Sequence, residues 1–262
     1  MSLVPSEYVG LWRRDEIVDA QGVRDATTEV YWLQSHGLYV DLRIPAARPD
    51  FRLDLLVSAW PDKHRDWLEH QEGFAGSLDV QGDLCHWQRD LDLQPPGPFD
   101  DRGRTEFLDD IHLIETGSHV NYVERWRKAT LPGEQRVLAL RLSPSAKARA
   151  GILVAVGNDF MYAIDWAGSI PLSVRDIDGP TADFSMFRGC EIGYGQIHGE
   201  QRWSIERCSL PVVEGTCLLP QTVAFPPVGA DWMPPPQSIL AEAGGPWVVL
   251  EQTYPSSFLT RG

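Results

Sequence analysis

The feature that most constrains this chain is a long succession of short segments rich in β-branched and aromatic residues, each closed by a turn signal. Residues 28–34 (TEVYWLQ) and 38–44 (LYVDLRI) flank Ser35-His36-Gly37, a tight hairpin turn, and Pro45 ends the second strand. Residues 77–80 and 83–93 turn at Gln81-Gly82, and residues 107–115 and 119–130 turn at Thr116-Gly117-Ser118. The pattern continues through 136–142, through 151–156 and 159–166 around Gly157-Asn158, through 187–197 and 201–210 around His198-Gly199-Glu200, and through 247–254. Residues 61–72 predict one helix, with Pro61 at its first position and Gly73 as its cap, while 53–60 fit either a strand or the approach to that helix. Many short strands with few helical insertions predict an all-β sandwich or barrel with antiparallel hairpins.

A length of 262 residues allows one large domain or two smaller ones. A weak internal repeat favours two. Phe74-Ala75-Gly76, Gly82 and Trp87 resemble Phe187-Arg188-Gly189, Gly195 and Trp203, the last tryptophan three positions further on. Thr130-Leu131-Pro132 likewise resembles Ser209-Leu210-Pro211. The boundary is expected within 132–148, giving β-rich units at 1–135 and 136–262.

Charge removes several function classes. Lys and Arg total 23 against 37 Asp and Glu, a net charge of −14. Such a chain is a poor match to nucleic acid or to anionic membrane surfaces, both of which reward clustered cations. No apolar run is long enough to span a bilayer as a helix, and residues 1–8 lack the basic and apolar regions of a secretory signal. Cys85, Cys190, Cys208 and Cys217 form no C-x-x-C pair, so reduced thiols in a cytoplasmic protein are expected.

Six of the seven histidines and six of the ten tryptophans fall in the first half, which makes it the better place to seek a site. Strand alternation sorts 38–44 into an aliphatic face (Leu38, Val40, Leu42, Ile44) and a mixed face (Tyr39, Asp41, Arg43). Trp87 and Arg89 share a face with Leu91 and Leu93, and Val120, Tyr122, Glu124, Trp126 and Lys128 share another. Two readings follow. In one, the charged faces look outward with cross-strand ion pairs and the aliphatic faces fill the core. In the other, Trp32, Tyr39, Asp41, Arg43, Trp87, Arg89, Tyr122, Glu124 and Trp126 line a barrel lumen that binds a small ligand, with Arg43 and Arg89 gripping an anionic group.

Catalytic templates are absent: there is no G-x-S-x-G, no phosphate-binding G-x-x-x-x-G-K-[ST] and no dinucleotide fingerprint opening a helix. Gly193-Tyr194-Gly195 sits in a strand and reads as a bulge. Nor is there an H-x-x-x-H for zinc; His112 and His119 lie across a turn, but isolated histidines are the default expectation. No cofactor and no metal is expected. Residues 226–236 (PPVGADWMPPP) read as an ordered loop packing Trp232, or as a polyproline ligand for a partner.

Gly10-Leu11-Trp12-Arg13 is the G-x-W familiar near the start of lipocalin-like barrels, where the tryptophan plugs one end beneath a late-strand cation, here Arg125 or Arg127. Together with Tyr8–Arg14 (YVGLWRR), Val30–Gln34 (VYWLQ), Tyr39–Pro45 (YVDLRIP), Gly73–Gly76 (GFAG) and His119–Trp126 (HVNYVERW), it resembles the HRI protein family. That resemblance implies two successive lipocalin-like antiparallel β-barrels and no established biochemical activity. The resemblance leaves function open, and the lumen reading of the aromatic and charged faces makes the functional expectation a non-enzymatic binder of a small, partly apolar, acidic ligand. A protein adaptor with an acidic or Pro-rich surface comes second. A cofactor-free lyase or isomerase using Tyr122 as donor, Arg43 as anchor and Glu124 as acid–base comes third.

Overall fold

The computed structural model describes residues 3–51, 61–95, 97–130, 135–143, 150–165, 189–198, 202–219 and 223–253. The ambiguous stretch 53–60, the junction at 131–134 and the repeat residues Phe187 and Arg188 lie outside them.

Nine strands make the first sheet: β1 Gly10–Val18, β2 Arg24–Asp25, β3 Glu29–Gln34, β4 Tyr39–Ile44, β5 Glu72–Gln81, β6 Leu84–Asp92, β7 Asp101–Phe107, β8 His112–Gly117 and β9 Val123–Lys128. Each pairs antiparallel with its sequence neighbour along the order β2-β1-β3-β4-β5-β6-β7-β8-β9. β1 also pairs with β9, with a bulge between Arg14 and Glu16, so β1 and β3–β9 close into an eight-stranded antiparallel barrel. Closure removes the free edges that an open sheet of this length would carry.

Local chemistry explains most turns. In the β3–β4 hairpin, Ser35 Oγ accepts from the Leu38 amide at 3.0 Å and the Ser35 amide donates to the Leu38 carbonyl at 2.8 Å. Gly82 takes a φ of 65° at the β5–β6 turn, a region that glycine enters without steric cost. The expected continuous strand over 107–115 is instead broken. Asp109 Oδ1 accepts from the Ile111 and His112 amides, an Asx turn that separates β7 from β8. The helix α1, Asp62–Glu69, starts one residue later and ends sooner than expected, and Gly73 belongs to β5.

The second sheet holds β10 Val137–Leu142, β11 Gly151–Val156, β12 Asp159–Asp165, β13 Cys190–His198, β14 Arg202–Cys208, β15 Asp231–Trp232 and β16 Trp247–Thr253. Its order is β14-β13-β12-β11-β10-β16-β15, all antiparallel. The meander β10–β14 repeats β1 and β3–β6, and β16 lies beside β10, again through a bulge, as β9 lies beside β1. The expectation of a second closed barrel is corrected here: among the described residues no pairing joins β14 to β15. The chain between β14 and β16 carries Pro211, Pro226, Pro227, Pro234, Pro235 and Pro236. Proline lacks the amide donor a ladder needs, so among the described residues the counterpart of β8 shrinks to the two-residue β15 and none of β7 pairs. Trp232 in this Pro-rich loop is buried.

The outer face of β3 and β4 rests against β11, β12 and β13. Leu33, Leu38, Val40, Leu42 and Ile44 join Ile152, Val154, Ala163, Ile192 and many others in one apolar cluster that spans both sheets. Tyr31 stacks on Tyr194 with ring centroids 4.3 Å apart. A separate cluster, containing Trp12, Trp32, Tyr39, Phe74, Trp87, Leu113 and Trp126, fills the barrel. β4 is thus buried on both sides. Its aliphatic face meets the second sheet and its mixed face enters the lumen.

A charged lumen beneath an open cleft

Trp12 is fully buried at one end of the barrel, its Nε1 donating to the Tyr8 carbonyl at 2.7 Å. The cation over its ring is neither Arg125 nor Arg127, as expected, but Lys128, with Nζ 4.8 Å from the centroid. Alternation along β9 turns Glu124, Trp126 and Lys128 inward, while Arg125 and Arg127 face outward to Glu16 and Asp15. Trp12 stacks on Trp32, and Trp32 meets the edges or faces of Trp87 and Trp126 at centroid distances of 5.8 and 5.5 Å. Tyr39 packs edge-on against Phe74.

Beside these rings lies a buried ionic cluster. Arg14 Nη1 donates to Glu124 Oε1 at 2.6 Å, and Arg43 Nη1 lies 3.6 Å from the same oxygen. Arg43 Nε also donates to Asp41 Oδ1 at 3.0 Å. Glu115 sits opposite Glu124 in the β8–β9 register and accepts from the Tyr122 hydroxyl at 2.6 Å. Burial pushes the Asp41 carboxyl up to about 6, against the pull of Arg43. Burial, reinforced by the neighbouring Glu124 charge, holds Glu115 well above the usual carboxylate range. Two facing carboxylates in a dry space cannot both ionise cheaply, and that repulsion adds to burial in raising Glu115.

This corrects the expected role of the lumen. Arg43 is already paired with Asp41 and Glu124, so it does not await a ligand. The space left among Trp32, Arg43, Trp87, Asp101, Glu115 and Trp126 is about 10 Å³, the volume of about one water. Glu124 does point inward, 1 % exposed, but no substrate fits beside it, and Tyr122 bonds Glu115 rather than Glu124. The expected ligand-binding lumen is thus corrected: the space among these side chains is filled.

Larger space occurs at the barrel mouth. A cleft of about 560 Å³ lies where β6 and β7 meet the loop before β7 and the turn before β9, and its lining includes Trp87, Arg89, Phe99, Arg102, His119 and Tyr122. It shares Trp87 and Asp101 with the small space below. Alternation brings Trp87 and Tyr122 to it from the lumen side, and His86 and Arg102 from the outer faces of β6 and β7. Phe99 and His119 present nearly parallel rings, 16° apart in plane with centroids at 6.0 Å, and Phe99 is 62 % exposed. Arg89 lies 3.6 Å over the Phe74 ring and is held by Asp101 at 2.6 Å and Asp92 at 2.9 Å. Arg102 contacts Asp100 at 3.1 Å across an exposed pair.

The expected site therefore divides. Trp32, Tyr39 and Trp126 are packed core, Asp41, Arg43 and Glu124 form the ionic cluster, and Trp87, Arg89 and Tyr122 reach the cleft. The expected grouping of Arg89 with Leu91 fails because a bulge between Ala75 and Gly76 on β5 lets Asp90 slip out of register. Leu91 then turns to the cluster shared with the second sheet. Arg14 and Glu115 were missed. Arg14 follows Trp12 by two positions on a strand, a signal that alternation offers; Glu115 needed the β8–β9 register. His112 binds Asp109 rather than His119, and no group of metal-holding side chains occurs among the described residues. The four cysteines are free.

No family model matches the chain, and no curated protein matches it. Among solved structures, the crystal structure of the uncharacterized protein YLR301w from Saccharomyces cerevisiae is similar, with a TM-score of 0.61. The chain shares that protein's fold. The likeness covers 93% of this chain and 98% of the yeast chain at 14% sequence identity, which extends to the fold alone.

Proposed function

We propose that this chain is a non-enzymatic binder of a small, partly apolar ligand, held at the mouth of the first barrel rather than in its lumen. The observation that carries this reading is the cleft of about 560 Å³, a size that suits a drug-sized molecule, sitting over a floor too well packed to admit one. Exposed Phe99 and Val120 supply apolar contact, and arginine, histidine and tyrosine side chains supply polar contact around them. The segments quoted above and the double-sheet architecture also support membership of the HRI family.

Ligand-observed NMR with a set of neutral, cationic and anionic aromatic fragments tests the site. Fragments should bind the wild-type chain and lose their signal in Phe99→Ala and His119→Ala, both rim substitutions. No binding, or binding indifferent to both substitutions, overturns the assignment. A second reading, an adaptor surface, draws on exposed Val228, Met233 and Leu250 around the Pro-rich loop.

A further inference from the structure

The geometry points to a ligand class for the cleft: a planar aromatic bearing an anionic oxygen, with the ring laid on Phe99 and His119 and the oxygen bound by Arg102. This inference rests on the cleft being the binding site.

The two guanidinium groups of the cleft differ in what they have left to offer. Arg89 directs Nε and Nη2 to Asp101 and Nη1 to Asp92, and its face covers Phe74. Arg102 has a weaker hold. Its Nη2 reaches Asp100 in a pair whose side chains are 37% and 63% exposed, and exposed pairs contribute little because water and salt compete for both partners. Its Nε is shut away from solvent and has no acceptor among the described residues. A buried donor without an acceptor is costly, and an incoming oxygen removes that cost. A carboxylate can displace the loosely held Asp100 and engage the fork through two parallel bonds, as planar guanidinium allows.

The acids of the cleft argue against a cation. Asp101 is committed to Arg89, and Asp100 already faces Arg102. An ammonium group would approach two arginines, and the one acid it could draw on, Asp100, would have to leave Arg102 to receive it. The imidazoles of His86 and His119 also line the cleft and add ring nitrogens that can donate to an oxygen. Phe99 and His119, near-parallel and reached from solvent, offer the ring surface that an aromatic ligand stacks on.

The full chain is titrated with 2-naphthoate, 2-naphthamide and 2-naphthylmethylammonium by calorimetry and ligand-observed NMR. The expected order is naphthoate at least about tenfold tighter than either of the others, each tenfold being about 1.4 kcal/mol. Arg102→Gln should abolish that preference, Arg102→Lys should keep part of it, and Phe99→Ala should weaken all three probes. Circular dichroism and the denaturation midpoint report whether each variant is folded, and Arg102 and Phe99 both lie at the surface. Equal binding of the three probes, or a preference surviving Arg102→Gln, overturns the charge assignment and leaves the cleft standing as the site. Naphthoate bound but indifferent to Phe99→Ala, or no probe bound at all, overturns the cleft as well.

Discussion

Arg43 sits between Asp41 and Glu124 at the barrel wall; the two carboxylates are removed from bulk water and the arginine side chain is 20% exposed. Its loss leaves two carboxylates sharing only Arg14, and breaking a buried pair from one side costs about 3–5 kcal/mol. Arg43→Ala should therefore lower the denaturant midpoint sharply, and a variant as stable as wild type would show that the cluster is not closed in solution. Asp41 sets a pH dependence with a definite sign. Its carboxyl is raised from 3.8 to about 6 by burial, so the folded chain holds a proton that the unfolded chain has released between those values. Below pH 4 the group makes no difference; as pH rises through 4 to 6 its contribution falls, and above 6 the loss is complete. Glu115 acts in the same direction. Urea melts at several pH values should show stability decreasing across this window, and Asp41→Asn should flatten the slope.

Two hairpins carry the same device. In β5 a Cβ at Gly76 would lie 1.9 Å from the Gln88 carbonyl oxygen, and in β13 one at Gly195 would lie 2.1 Å from the Ser204 carbonyl oxygen. Both glycines sit beside a bulge, and each pairs with the residue two positions after a tryptophan, Trp87 or Trp203. The internal repeat therefore aligns Gly76 with Gly195 and Trp87 with Trp203, not Gly76 with Gly189 as spacing alone had matched them. A methyl at either position forces the bulge open. Gly76→Ala and Gly195→Ala should each destabilise by about 1–3 kcal/mol, the range for overpacking, with midpoint shifts read by denaturation. A neutral substitution at either site would show that the bulge relaxes without cost.

Across the whole molecule, one apolar cluster joins the outer wall of the barrel to the second sheet. Ion pairs tie the rim of that contact: Arg207 with Glu29 at 3.1 Å, Arg48 with Glu214 at 2.6 Å and Arg141 with Asp90 at 2.7 Å. The His36 amide adds a bond to Glu251 at 3.1 Å. Neither half can be exposed without uncovering aliphatic surface of the other. Unfolding should accordingly be a single transition, with tryptophan fluorescence and far-ultraviolet dichroism giving the same midpoint. Two separated transitions would mean that the halves unfold independently. A double-mutant cycle between Tyr31 and Tyr194 should return about 0.5–1.5 kcal/mol of coupling, the range for a stacked pair.

Local pattern determined much of this. Alternation and turn residues placed β3, β4, β6, β11, β12 and β16 within a few positions of where they lie, because hydrophobic period and turn chemistry act over a handful of neighbouring residues. Only the tertiary structure decided what each face meets. Residues 38–44 read as one apolar and one polar face, and nothing in them says that both are buried, since the partner of the aliphatic face lies more than a hundred residues away. The candidate site was legible as a set of side chains sharing strand faces, and Asp41, Arg43, Glu124 and Trp126 do converge. Their use was not legible: Arg43 finds its counter-charges on β4 and β9, so register, not composition, settles that it is spent. The cleft was hidden for the same reason. Phe99, Arg102 and His119 lie in a loop, on an outward strand face and in a turn. They carry no shared period, and only the pairing of β7 with β8, and of β8 with β9, brings them to one rim.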